Sequence, residues 1–240
     1  MQIQKITVKN WGGQNNLTQM YLQIVFTVIS IVYAMAIVFV TKSTYAFMKK
    51  RGVENMVAVY YNRKIVHMAA GGVVALAVPF MFDTWIYPLI IGLVLTVFTV
   101  APRLKGQSMD FMQTKENWND SKFTLMWGLS IAIMWILFRD PFLAVIPTLF
   151  MAFGDAVTGV VRNALYKKRT KSPVGNVFML IVCVIIGYVF ASLAHNPIPL
   201  WGVAAAVGAS IVERYEIGPI DDNVLITVTT MIILAIGILV

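Results

Sequence analysis

Four clusters of ionisable and small residues interrupt an otherwise apolar chain, and their types suit phosphate and cation chemistry. Arg63, His67 and Gly71 lie four residues apart, so a helix puts them on one face with Lys64 adjacent. Gly71 and Gly72 leave room there for another helix or a ligand. Taken alone, Arg63 and Lys64 would also suit snorkelling to lipid headgroups, and His67 a hydrogen-bonded packing position. In the second cluster, Asp155, Gly159 and Arg162 follow an i, i+4, i+7 course that aligns a carboxylate, a gap and a guanidinium, with Gly154 just before. A carboxylate of this kind suits Mg²⁺, which takes one or two carboxylates and completes its shell with water and substrate phosphates. Its alternative is an ion pair with a neighbouring Arg or Lys.

The third cluster runs from Lys167, Lys168, Arg169 and Lys171 into Ser172, Gly175 and Asn176. Basic donors, a hydroxyl and backbone N–H groups at a helix start make an anion cradle. It is not a P-loop, which needs GxxxxGK[ST] after a strand, and a purely orienting basic loop has the same composition. The fourth cluster puts the acids Glu213, Glu216, Asp221 and Asp222 around a Gly218-Pro219 turn, followed by Asn223. Asp221 or Asp222 can cap the helix that follows. Capping leaves Glu213 unexplained, whereas a divalent cation joining these acids to a nucleotide accounts for it.

What must position these clusters is a membrane bundle. Of 240 residues, 59% are hydrophobic and 12% charged, against about a quarter charged in a soluble domain. A helix needs about 20 mostly apolar residues to cross the bilayer. Eight such stretches can be cut, within a range of seven to nine: Met20 to Val40, Ile65 to Phe82, Trp85 to Val100, Phe123 to Phe138, Phe142 to Val161, Val174 to Leu193, Ile198 to Val212 and Val224 to Val240. The fold class is therefore all-α, a polytopic transmembrane helix bundle forming one domain over residues 1–240. The polar segment around Trp11-Gly12-Gly13 is followed by an apolar stretch with no small-residue cleavage site, which reads as an anchor and not a removable signal. Cys183 falls inside an apolar run and reads as a packed thiol.

Of the 19 Lys and Arg residues, sixteen sit in four loops: 42–64, 103–122, 162–171 and at Arg214. The intervening turns hold only Arg139, so the positive-inside rule puts the basic loops and the four clusters in the cytoplasm and both termini outside. The net charge of +8 thus serves orientation in the lipid bilayer, and no nucleic-acid partner is expected.

Across residues 60–225, the clusters resemble the CTP-dependent lipid kinases: dolichol kinase, phytol kinase and the CTP-dependent diacylglycerol kinases, relatives of the phosphatidate cytidylyltransferases. The R-K-x-x-H motif of that family is similar to Arg63, Lys64 and His67, and its G-D-A segment to Gly154, Asp155 and Ala156. Its K-S-x-E-G element resembles Lys171, Ser172 and Gly175, and its acidic segment with D-N resembles Glu213 with Asp222 and Asn223. Two positions depart from the pattern: Val174 stands where the family has Glu, and Arg162 where it has Gly. The chain looks like a minimal catalytic core without the extra amino-terminal spans of larger dolichol kinases.

The resemblance implies transfer of the γ-phosphoryl group of CTP to a membrane lipid alcohol at the cytoplasmic face. Mg²⁺ is then expected on Asp155, Glu213, Asp221 and Asp222. The nucleotide is expected on Arg63, Lys64, Arg162, Lys171, Ser172, Gly175 and Asn176, with Gly154, Gly159 and Asn223 in support. His67 or Asp155 is the candidate base. A cytidylyltransferase, in which a lipid phosphate attacks the α-phosphate of CTP, could use the same residues. A transporter is the reading from another class, opposed by charges that crowd one rim and by the lack of an inverted repeat.

Overall fold

The computed structural model describes residues 14–114, 118–167, 170–215 and 220–240. Trp11, Gly12, Gly13, Lys168, Arg169, Glu216, Gly218 and Pro219 lie outside the described residues. Eight helices follow one another, with no strand among the described residues: α1 (Gln14–Lys50), α2 (Asn55–Met81), α3 (Ile86–Leu104), α4 (Asn119–Phe138), α5 (Pro141–Tyr166), α6 (Pro173–Leu193), α7 (Pro199–Val212) and α8 (Asp222–Leu239). All but α7 are long and apolar enough to span a membrane. At 14 residues α7 is about 21 Å long, short of a hydrocarbon core of about 30 Å. The backbone of α7 is held against α6 where Gly187 and Gly202 meet, since a Cβ on either would strike the other's carbonyl.

Local chemistry sets the helix ends. Pro141, Pro173 and Pro199 stand in the first turn of α5, α6 and α7, where a missing N–H costs nothing. Asp140 caps α5 by accepting from the N–H groups of Phe142 and Leu143, and its other oxygen accepts from the His195 backbone 2.6 Å away. Arg139 and Lys167 end α4 and α5 in the left-handed conformation, with φ of 55° and 52°.

The helix α5 is the axis of the bundle: 78% of its most apolar window is buried, against 22 to 50% for the other spans. It packs against α2, α4, α6 and α8. Large apolar side chains on the outer faces, such as Val32, Val97, Leu137 and Ile185, remain exposed, as lipid-facing residues must.

Several spans are longer than their apolar runs, and two of these extensions position the site. Helix α2 starts at Asn55, ten residues before the expected Ile65, and α5 continues to Tyr166, past the expected Val161. Asn62, Arg63, Lys64, Arg162 and Asn163 of those extensions are buried, so helix and hydrophobic run need not coincide. Asn62, for example, donates to the carbonyls of Thr41 and Phe111 and accepts from Thr44.

Both helices widen into a single π-turn, at His67–Gly72 in α2 and Phe150–Gly154 in α5, and the two turns pack together. A Cβ at Gly72 would meet the Phe153 ring 2.5 Å away, so this approach requires glycine. A π-turn disturbs the regular ladder, and side chains from two other helices meet its carbonyls: Tyr33 donates to Ala69 and Trp127 to Gly71, both at 2.9 Å.

Candidate active site

Asp155 follows the π-turn of α5 directly and His67 opens that of α2, which places both at the centre of the bundle. Asp155 lies eleven residues before Tyr166, about 16 Å along the axis. Lys64, His67 and Asp155 therefore lie within α2 and α5 and not at their ends, while Arg162, Lys171, Glu213 and Asp222 stand near the loops. Lys64 donates to both oxygens of Asp155, at 2.7 and 2.6 Å, and each side chain is almost fully buried. The Lys64 ammonium also stands 4.9 Å from the centroid of Tyr60, one helical turn earlier. His67 stacks on Phe123 with centroids 3.8 Å apart, and its Nδ1 is 3.4 Å from Asp155 Oδ2. At that distance it is an electrostatic neighbour of the carboxylate more than a hydrogen-bond partner. Gly159 faces Lys64, whose Cε would be 2.5 Å from an added Cβ, and Gly154 makes similar room for Cys183.

A second layer lies toward the loops. Arg162 grips Glu213 with two hydrogen bonds of 2.7 and 2.8 Å, donates from Nε to the Ser172 carbonyl at 2.9 Å, and from Nη2 to Asn176 at 2.8 Å. Asn176 also donates to Glu213 and to the Ser210 carbonyl. Lys171 donates to Asp222 at 2.7 Å and to the Glu213 carbonyl at 2.9 Å. Burial disfavours charge on Lys171, but the carboxylates of Asp222 and Glu213 outweigh it and hold the ammonium above its ordinary range. Arg162, Glu213, Asn176 and the Ser172 carbonyl thus form a brace joining α5, α6 and α7.

Asp155, Glu213 and Asp222, all buried, bring one carboxylate oxygen each to within 4.8 Å of the others. Hard oxygen donors so grouped fit a divalent cation such as Mg²⁺. Asp221 does not join them. It caps α8 through Val224 N, with its second oxygen 3.8 Å from Lys122. Burial and the adjacent Asp222 push its carboxyl pKa up.

Between these layers opens a polar pocket of about 110 Å³ lined by Tyr60, Arg63, Lys64, Asp155, Asn163 and Asp222, together with Asn119 and Asn223. The buried polar atoms on this wall that lack a hydrogen-bond partner include the amide nitrogen of Asn163, the amide oxygen of Asn223 and the hydroxyl of Thr114. Orphaned atoms of this kind are costly unless something else completes them. The pocket collects Arg63, Lys64, Asp155, Asp222 and Asn223 from the expected set. It leaves Arg162, Ser172, Gly175 and Asn176 in the brace: the Ser172 hydroxyl meets Tyr166, and Gly175 lies where a Cβ would strike Arg162 Nε at 2.5 Å.

Tyr60, Asn163 and Asn119 escaped the sequence reading. Tyr60 was detectable as the i−4 neighbour of Lys64, and Asn163 as an amide two turns after Asp155 on an apolar helix.

No family model, no curated protein and no solved structure matches the chain.

Proposed function

We propose that the protein is a CTP-dependent kinase that phosphorylates a membrane lipid alcohol at the cytoplasmic face. One observation carries this reading: residues from all four sequence clusters meet in the pocket that opens beside the Lys64–Asp155 pair or in the brace built against it. Acids and amides with unmet hydrogen-bonding capacity, basic side chains and a histidine are what phosphoryl transfer requires, since that chemistry rests on positioning and charge neutralisation.

In this account Arg63 and Lys64 bind phosphate oxygens, and Lys64 turns toward the nucleotide from its place on Asp155. Asn163 and Asn223 complete their hydrogen bonds on the nucleotide. Asp155 and Asp222 would hold Mg²⁺, with Glu213 fixed behind them by Arg162, and the ion would supply charge neutralisation at the phosphates. The lipid hydroxyl oxygen forms a bond to the γ-phosphorus, the bond from that phosphorus to the β–γ bridging oxygen breaks, and CDP leaves. The hydroxyl proton passes to His67, which has no competing hydrogen bond on Nδ1, whereas the carboxylate of Asp155 would be taken up by Mg²⁺.

The depth of the Lys64–Asp155 pair is the one feature that also suits a proton-coupled transporter. Thermal stabilisation separates the readings. CTP with Mg²⁺ should raise the melting temperature of the purified protein more than ATP with Mg²⁺ at equal concentration. Equal shifts for all nucleoside triphosphates, or none, would count against a CTP enzyme.

A further inference from the structure

The polar pocket, at about 110 Å³, falls short of the roughly 300–1,000 Å³ that a small-molecule site occupies. A groove of about 480 Å³ adjoins it and shares Glu54, Val57 and Asn163 with it. The groove lies between the turn that joins α1 to α2, the first turns of α2 with Tyr61, and the end of α5 with Lys167. That turn is held in shape. Val53 donates from its backbone to the Met48 carbonyl at 3.1 Å, Lys49 donates to the Val53 carbonyl at 3.2 Å, and Gly52 takes a φ of 76° that favours glycine. Arg51 on the same turn has its guanidinium 4.3 Å from the centroid of Phe47, while Glu54 is exposed and makes no capping bond to α2. Asn163 is only 2% exposed, and its amide nitrogen, which lacks a partner, belongs to the wall common to both spaces.

We infer that this groove is the base subsite of the nucleotide, and that Glu54 in it selects cytosine over uracil. The inference rests on the reading above that the ligand is CTP. Arg51 and Lys167 make the opening positive, which favours an anionic nucleotide. Among the described residues Glu54 is the one acid that lines it. A lone carboxylate there would only repel phosphates, unless it has a donor on the ligand to meet. Cytosine supplies that donor: it presents an amino group at N4 beside acceptors at N3 and O2, and a carboxylate accepts from N4. Uracil carries an oxygen at the same place, which a carboxylate repels. Arg51 can donate to O2, an acceptor that adenine lacks. Tyr61 gives the base an aromatic neighbour, and every base has a face that stacks. The ribose and phosphates then pass Val57 and Asn163 into the polar pocket, where the free amide nitrogen of Asn163 meets a phosphate oxygen.

The test measures binding of radiolabelled CTP and UTP, each with Mg²⁺, to the purified full-length protein and to Glu54→Gln and Arg51→Gln. Both positions are exposed, so the variants should fold, which their melting temperatures check. The unaltered protein should bind CTP about tenfold or more tightly than UTP. Glu54→Gln should erase most of that preference, because an amide can accept from N4 or donate to O4. Arg51→Gln should weaken both nucleotides alike, since O2 is common to them. As a second measurement, photolysis with 5-iodo-CTP should place label within residues 51–61 or 163–167. A Glu54→Gln variant that keeps the full CTP preference, or label confined to other segments, would overturn the inference. Binding needs no turnover, so the two claims fail separately. A cytosine preference that depends on Glu54, without phosphoryl transfer, removes the kinase reading alone, and transfer from CTP with a preference indifferent to Glu54 removes the base subsite alone. Absence of any nucleotide binding would overturn both.

Discussion

Lys64 and Asp155, ninety-one residues apart in sequence, meet at the centre of the bundle with the lysine ammonium within 2.7 Å of both carboxylate oxygens. Neither charge would be tolerated there alone, because removing one partner of a buried pair typically costs about 3–5 kcal/mol. The pair holds a cation against the carboxylate in the place where, in the proposed reaction, Mg²⁺ and phosphate would share it.

Structure and chemistry can be separated at this pair. Asp155→Asn orphans Lys64, so its melting temperature should fall by an amount matching a loss of about 3–5 kcal/mol, and turnover should vanish. The double substitution Lys64→Met with Asp155→Leu should recover most of that stability and none of the activity. Denaturation of the four proteins of this cycle, beside lipid phosphorylation normalised to the monodisperse fraction, reads both. Activity in the double variant would remove the pair from the site.

The brace should behave as a structural unit. Gly175→Ala drives a methyl group into the Arg162 guanidinium, and the overpacking should cost about 1–3 kcal/mol. Arg162→Lys should also destabilise, since an ammonium cannot make the paired bonds to Glu213. In both variants kcat per folded molecule should suffer less than thermal stability. A large loss of kcat with an unchanged melting temperature would instead make Arg162 a direct nucleotide contact.

Asn163 and Asn223 make the opposite case. Each carries a buried atom without a partner, so Asn163→Ala and Asn223→Ala should leave the melting temperature of the apo protein unchanged or slightly raised. The stabilisation by CTP with Mg²⁺ should shrink by about tenfold in apparent affinity when Asn163 loses the bond it donates to a charged phosphate, and by less when Asn223 loses the bond its amide oxygen accepts from a hydroxyl or amino group of the nucleotide. Unchanged nucleotide affinity in both variants would contradict a nucleotide site at this wall.

Asp221 has a pH signature. Its folded-state pKa is raised, so the stability that this group contributes is greatest below its unfolded-state value and is lost as pH rises through the folded one. Asp221→Asn keeps the helix cap and removes the titration. It should therefore raise the melting temperature at neutral pH, with the gain fading as pH falls into the ordinary carboxyl range, and activity should persist. A gain that grew toward low pH would reverse the sign of the argument.

Sidedness follows from the loop charges. Cys183 is buried and should stay silent, so Arg51→Cys and Arg214→Cys can be labelled against a clean background in intact cells. Impermeant maleimide should miss both and reach His195→Cys at the opposite end of the bundle. The reverse pattern would place the site outside.

Much of this molecule was legible in its sequence. Runs of apolar residues marked eight helices because hydrocarbon demands them, and the short seventh stretch became the short α7. Arg63, Lys64, His67 and Asp155 stood out because ionisable groups on apolar helices are costly. Depth was not legible, since the polar beginnings of α2 and end of α5 are helical through packing and not through hydrophobicity. The two π-turns left only Gly71-Gly72 and Gly154 as traces. Asp221 looked as able to bind a cation as Asp222, and it is the fold that separates them, turning Asp222 toward Asp155 and Glu213 and leaving Asp221 on Val224 N. Arg162 read as a phosphate ligand because spacing shows which face a side chain shares and not which partner it meets.

The central claim is the transfer of a terminal phosphate from CTP to a lipid alcohol. Purified protein in mixed micelles is given a long single-chain alcohol, and in parallel its monophosphate, with CTP labelled at either the γ or the α position. Each arm is run with Mg²⁺ and with chelator. The account predicts γ-label in the lipid from the alcohol arm only, α-label retained in soluble CDP, and no transfer once Mg²⁺ is removed. Appearance of α-label in the lipid from the monophosphate arm, with pyrophosphate released, would contradict it in favour of a cytidylyltransferase, and no lipid label in any arm would contradict it outright.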